Sequence, residues 1–219
     1  KIPWMLNWKL AFKNKHFVAK FIASFVFLFA LMYFFAWFLN YVEQRQGHVF
    51  YDPVLNFLRP RDVSDIIFFT TYGASLLALI YAFGSPFRTI HLCRMYTVLT
   101  IFRVITVFII PMDPPSTIIP LRDAILQNTF YNDAGNVKDL FFSGHTATLF
   151  LFFFFAKNIV IKWIFFVCAV CVAAAVVLQH IHYSYDVIVA PLFAFFAYRL
   201  VSKHSKLYET NTKDLPQLF

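Results

Sequence analysis

The sequence predicts an all-α membrane protein, a bundle of six transmembrane helices with both termini on the cytoplasmic side. Three observations predict it. Hydrophobic residues fill 60% of the 219 positions, including 31 Phe, and only 14% of residues are charged, which is more apolar surface than a soluble domain of this length needs. The apolar residues gather into six long runs with polar stretches between them. Lys and Arg then divide unevenly between alternate stretches, thirteen against five, with Arg103 inside a run.

The first run, from about 17 to 39, follows Lys9, Lys13, Lys15 and Lys20 and is too long for the apolar core of a cleaved signal, so it reads as a retained helix. The second covers 66–83. The third, roughly 91–110, has Arg94 near its start and Arg103 within it. The fourth opens on Phe141-Phe142-Ser143-Gly144-His145 and ends at Ala156, the fifth takes 159–178, and the sixth extends from about Tyr185 to Leu200. No repeat or low-complexity linker divides them, so residues 1–219 form one domain with its core at about 90–200.

Orientation follows from the basic residues. Lys1, Lys9, Lys13, Lys15, Lys20, Arg88, Arg94, Lys157, Lys162, Arg199, Lys203, Lys206 and Lys213 fall on one side, and Arg45, Arg59, Arg61, Arg122 and Lys138 on the other. The richer side is expected to be cytoplasmic. In a soluble chain the net charge of +8 would suggest nucleic acid; here topology accounts for it and no nucleic-acid partner is expected. Cys93, Cys168 and Cys171 lie in or beside apolar runs with no metal-ligand spacing to histidine, and read as packing residues. Two outward stretches are long, 40–65 and 111–140, the second with an amphipathic candidate from Ile118 to Phe130 that reads either as a lid or as an interfacial anchor.

The residues suited to chemistry stand at the ends of the last runs. His145 opens a crossing inward and His182 follows a crossing outward. Their separation of 37 residues is about two membrane crossings at 1.5 Å per residue, which returns the second imidazole to the level of the first. Asp186, four residues beyond His182, shares its face if the sixth helix has begun, and a carboxylate there would fix the imidazole tautomer and stabilise its cation. Ser143-Gly144 before the fourth helix offers unpaired backbone N–H groups and space for an anion. An anion site beside two histidines suggests phosphoryl chemistry, with His145 as general acid and base.

These segments resemble the lipid phosphatase and phosphotransferase superfamily and, within it, the sphingomyelin synthase branch. Asp139-Leu140-Phe141-Phe142-Ser143-Gly144-His145-Thr146 is similar to that branch's Gly-Asp-Tyr-Leu-Tyr-Ser-Gly-His-Thr, and His180-Ile181-His182-Tyr183-Ser184-Tyr185-Asp186-Val187 to its His-Asp-His-Tyr-Thr-x-Asp-Val. Arg103-Val104-Ile105-Thr106, followed by the proline-rich 111–115, resembles its third-span segment. The chain departs from the superfamily's phosphatases, which carry an upstream Lys-x6-Arg-Pro motif and a Ser-Arg pair; Val176 stands six residues before His182. In the first outward loop, Asp52-Pro53 resembles only a remnant of the branch's Pro-Pro-Leu-Pro-Asp cluster.

The resemblance implies that His182 attacks the phosphorus of a lipid head group, Asp186 supports it, and His145 protonates the departing diacylglycerol and later deprotonates an acceptor hydroxyl, with no metal or cofactor. Arg103 would hold the phosphate, or else pair with a carboxylate inside the bundle. Asp139 and His180 would orient His145 or recognise a cationic head group, and Ser143, Gly144 and Tyr183 complete the substrate-binding set. The expected function is head-group transfer from a glycerophospholipid to a lipid alcohol such as ceramide. The alternatives are a lipid phosphatase or phospholipase C-type hydrolase, or a noncatalytic scaffold or transporter, which the intact histidines and the scarcity of Gly- or Pro-broken spans disfavour. Short loops and the Phe-rich, Gly-poor composition suit a bacterial inner-membrane protein whose active site faces away from the cytoplasm.

The topology has a direct test: single cysteines at Asn132 and Lys203, on a cysteine-free background, are expected to react with an impermeant thiol reagent from opposite sides. Labelling from the same side contradicts it.

Overall fold

The computed structural model describes residues 4–122 and 137–211. They form eight helices: α1 (Trp4–Lys13), α2 (Lys15–Gln44), α3 (Pro53–Phe57), α4 (Ser64–Phe83), α5 (Pro86–Ile109), α6 (Gly144–Phe155), α7 (Ile159–Leu178) and α8 (Ser184–Asn211). Among the described residues there is no β-strand, only an isolated bridge between His48 and Met112. Five helices, α2, α4, α5, α7 and α8, are long and apolar enough to cross a membrane. This is an all-helical integral membrane protein.

Local chemistry sets the helix ends. Asn14 breaks α1 from α2 and caps the latter, its Oδ1 accepting from the backbone N–H of His16 at 3.0 Å and of Phe17 at 3.2 Å. Asn158 does the same for α7 through Val160 and Ile161. Pro86 enters α5 in its first turn, where the missing N–H costs nothing. The turns 84–85 and 156–158 share one end of the bundle: the Lys157 N–H donates to the Tyr81 hydroxyl at 3.1 Å, and the Trp8 indole donates to the terminal carbonyl of α4, Phe83, at 2.8 Å.

The fourth expected run is where sequence and structure part. Instead of a helix from Phe141, residues 137–143 are non-helical and α6 begins at Gly144, leaving a helix of 12 residues, about 18 Å long. Non-helical backbone at membrane depth survives only where protein meets its polar groups. Here Leu140, Phe142 and Ser143 are fully buried, and the segment bonds to its neighbours instead of to itself. Glu43 of α2 accepts from the N–H groups of Val137 and Lys138, the Thr106 hydroxyl of α5 lies between the Phe102 carbonyl of its own helix at 2.9 Å and the Phe141 carbonyl at 3.1 Å, and the Ser143 N–H donates to the Asp186 carbonyl at 3.3 Å. The amphipathic candidate also differs from expectation: it is irregular up to Arg122, and the rest lies outside the described residues.

α6 is apolar all round, so it belongs at the centre. It packs on α4, α5, α7 and α8, while α2 lies outside against α5 and α1. Small residues let those neighbours approach: Ala74, Ala78 and Ala82 on α4, Ala169 and Ala175 on α7, and Ala190, Ala194 and Ala197 on α8 are all buried around Leu149, Leu151, Phe152 and Phe155 of α6.

At the other end the loops interlock. The Arg45 guanidinium donates to the last carbonyls of α5, Val107 at 2.6 Å and Phe108 at 2.7 Å. Gly47 lies so close to the Met112 backbone that a Cβ there would stand 2.6 Å from its carbonyl carbon. Gln179, fully buried, accepts from the Val63 N–H at 3.0 Å and donates to the Ser64 hydroxyl at 2.8 Å and the Ile119 carbonyl at 3.2 Å, joining the starts of α4 and the 110–122 segment to the end of α7. Gln179→Leu orphans these groups and is expected to cost about 1–3 kcal/mol. In detergent the melting temperature should fall by several degrees; an unchanged value contradicts the account.

Candidate functional site

The site is built on the five residues between α7 and α8. The chain leaves α7 with the His180 N–H donating to Val177 and the Ile181 N–H to Val176, and His180 takes a left-handed φ of 58° that is uncommon outside glycine. His180 thereby turns toward the loops. Its Nδ1 meets the Thr117 hydroxyl at 2.6 Å, and it lines a cavity of about 200 Å³ with Phe50, Asp52, Leu58, Thr117 and Tyr183, a cavity that neither His182 nor His145 lines. Burial holds the His180 imidazole below its ordinary pKa, against the pull of Asp52. Tyr183 points the same way: its hydroxyl accepts from the Phe50 N–H at 3.2 Å and donates to the Asp113 carbonyl at 2.9 Å. Both residues brace the loops.

His182 takes the other direction. Its Nδ1 lies 3.6 Å from Asp186 Oδ2, with 7% of the histidine side chain and none of the aspartate exposed. The helix begins at Ser184, so His182 precedes it and the pair does not arise from two positions on one helical face. It arises because Asp186, in the first turn, reaches back. Asp186 Oδ2 also accepts the Tyr183 N–H at 3.1 Å, the reciprocal half of a helix cap. The imidazole and the carboxylate are thus held to one another by the way α8 starts.

The fourth and sixth runs meet at the Ser143 N–H to Asp186 carbonyl bond, which sets the starts of α6 and α8 side by side. His145, half-buried, stands in the first turn of α6 beyond this junction. Ser143 is buried and directs its hydroxyl to Thr146 at 3.1 Å. The first turn of α6 carries the helix's positive end. Arg103 of α5 arrives at the same place: a Cβ built on Gly144 would fall on its guanidinium, so any larger residue there has to push the guanidinium aside.

Arg103 pairs with Asp139 at 2.5 Å, the two side chains 11% and 15% exposed, and its guanidinium lies between the rings of Phe35 and Phe142 at 5.6 and 5.9 Å. The intramembrane cation therefore has its carboxylate. Val176, at the place where phosphatases of the resembled superfamily carry arginine, is buried in α7.

The sequence left several contributors without a role. Thr106 belongs to a noted segment but its use, holding the Phe141 carbonyl, depends on a tertiary contact. Glu43 and Gln179 carried no local signal. Asp52 did: Asp-Pro is a helix-start signature, and Asp52 Oδ1 caps α3 through Val54 and Leu55 at 2.9 and 3.3 Å.

Gly144→Ala is expected to displace the Arg103 guanidinium from its ion pair and to destabilise the protein by about 1–3 kcal/mol. On an Arg103→Ala background the added methyl has room and its cost should vanish, so melting temperatures of the four proteins in detergent form a cycle that reads the contact. Equal costs on both backgrounds exclude it.

Two comparisons with known proteins are without result: no curated protein and no solved structure matches the chain. Residues 138–204, from Lys138 through both histidine segments, match the family described as PAP2 superfamily C-terminal, which supports the lipid phosphatase and phosphotransferase superfamily for this integral membrane protein.

Proposed function

We propose that the protein is a lipid head-group phosphotransferase similar to the sphingomyelin synthases, moving a phospho-head group from a glycerophospholipid to a lipid alcohol such as ceramide on the non-cytoplasmic face of its membrane. The observation that carries this reading is the buried His182–Asp186 pair lying beside the start of α6 within the family-matched segment. Nδ1 faces the carboxylate at 3.6 Å; a proton on Nδ1 would leave Nε2 with the lone pair, the tautomer a nucleophile needs.

His182 Nε2 bonds to phosphorus as the phosphorus–oxygen bond to diacylglycerol breaks, and His145, as imidazolium, gives its proton to the departing oxygen. The acceptor hydroxyl then gives a proton to His145 and attacks phosphorus, and the nitrogen–phosphorus bond breaks. Asp186 balances the charge on His182 in between. The N–H groups of the first turn of α6, with Arg103, suit the phosphoryl oxygens.

Charge decides the substrate class. Arg103 is already offset by Asp139, and Val176 replaces the phosphatase arginine, so the cationic character suits a phosphodiester with one negative charge better than a phosphomonoester with roughly 1.5 to 2. With water as acceptor the same residues would make a hydrolase, which the family match also accommodates.

Purified protein given labelled phosphatidylcholine or phosphatidylethanolamine with ceramide is expected to form a new head-group-bearing lipid faster than it releases inorganic phosphate from phosphatidic acid. His182→Ala should abolish that turnover, by ~10³-fold or more, while the protein stays folded in detergent. Full activity in the variant rejects His182 as nucleophile, and dominant phosphate release from the monoester with no lipid product replaces the transferase by a phosphatase.

A further inference from the structure

The residues flanking His182 are each tied to an outer loop: Gln179 to Val63 and Ile119, His180 to Thr117, Tyr183 to Phe50 and Asp113, and Ser184 to Asp52. The tie to Asp52 differs from the rest. It is made by a carboxylate, 3% exposed, that serves two helices at once. Oδ1 caps α3, and Oδ2 accepts the Ser184 N–H at 2.6 Å, across 132 residues of chain.

A helix start needs acceptors for its first N–H groups. Tyr183, the residue before α8, cannot provide one, because its hydroxyl is engaged with Phe50 and Asp113. Asp186 covers the Tyr183 N–H from inside the helix, and Asp52 covers the Ser184 N–H from outside it. The first turn of α8, which carries Asp186 and follows His182 directly, is thus held from both sides.

We infer that Asp52 is a positioning residue for His182 and Asp186: from the loop between α2 and α4 it caps α8 and so fixes the turn that sets the imidazole beside α6. This rests on the reading of His182 as the nucleophile. Burial pushes the Asp52 carboxyl up, but hydrogen bonds from Ser184, through backbone and side chain, and from the Leu55 and Val54 N–H groups outweigh it and hold the carboxyl below the usual carboxylate range. Asp52 stays ionised at the positive end of α8.

The same bond can be broken from either side. Asp52→Asn leaves one acceptor oxygen for two caps, and Ser184→Pro deletes the N–H at a first-turn position where proline is tolerated, leaving the α3 cap intact. Val54→Pro removes only part of the α3 cap and is the control. Two readouts are taken on the purified full chain in phospholipid–detergent micelles: carbethoxylation of His182 by diethylpyrocarbonate, followed by mass spectrometry with exposed His16 as internal reference, and head-group transfer from phosphatidylcholine to ceramide.

Asp52→Asn and Ser184→Pro are each expected to speed His182 modification several-fold and to lower kcat on the order of 10–100-fold with little change in KM. Their combination should be no worse than the worse single variant, because both act on the same Asp52–Ser184 contact. Val54→Pro should behave as wild type. Wild-type reactivity and kcat in Asp52→Asn and Ser184→Pro overturn the inference, as does a Val54→Pro effect as large as theirs, which would mark general loosening of the loop. If wild type transfers no head group yet both variants expose His182, the positioning role stands and the transferase reading falls.

Discussion

Residues 137–143 run unwound into the middle of a helical bundle, and a bilayer offers such backbone no hydrogen bonds. Every polar group there has to be answered by protein. That requirement draws Glu43 from α2, Thr106 from α5 and the Asp186 carbonyl from α8 onto one short stretch, and it places α6 where four helices enclose it. The Ser143 to Asp186 bond is both a satisfied donor and the seam that brings the two histidine segments together.

Two buried carboxylates, Asp52 and Asp186, and a partly buried one, Asp139, sit around this seam, and each is balanced by a different partner. Asp139 faces a guanidinium, which never gives up its proton in a protein. Asp52 takes its hydrogen bonds from N–H groups and the Ser184 hydroxyl, with the His180 imidazole across the same cavity, so it acts as a fixed cap. Asp186 faces the His182 imidazole, a group that can carry a proton or give it up. Uncompensated charge is costly away from water, so the first two pairings are static solutions to burial. The third is the one in which a charge can appear and disappear with support already in place.

The helical bundle was legible because apolar runs of spanning length are a strong signal, and the histidine segments were legible because the chain's alternation across the membrane returns them to one level. The start of α6 was not: Phe141 and Phe142 are as apolar as the residues after them, and only tertiary bonds pull them out of helix. α1 escaped because ten residues with Lys9 and Lys13 are too short for a span, although Asn14 carries a cap signal. The four-residue spacing to Asp186 set His182 apart from His180 in the sequence but did not say where His180 would point. The positive φ at His180, a feature of the closed turn, separates them and sends one to Thr117 and the other to Asp186. For Arg103 the sequence left two roles open, phosphate holder or partner of a carboxylate, and Asp139 supplies the carboxylate without removing the guanidinium from Gly144.

Depth bears on the acceptor. α6 has 12 residues and α7 has 20, and the two are joined through 156–158, so the start of α6 stops roughly 12 Å short of the far end of α7 at 1.5 Å per residue. The Ile181 N–H to Val176 bond shows the turn descending along α7 toward that level, and the loop residues bound to Gln179, His180 and Tyr183 close over it. A phosphoryl group seated at the start of α6 is therefore recessed below the loops. Recession matters because a transferase and a hydrolase of this kind share their first step and differ in what reaches the phosphohistidine next. On the reading proposed above, the acceptor would be a lipid alcohol entering from the membrane, and the loop residues bound to Gln179, His180 and Tyr183 would stand between the site and water. On that reading the architecture that satisfies an unwound backbone in a bilayer also weighs against the hydrolytic outcome.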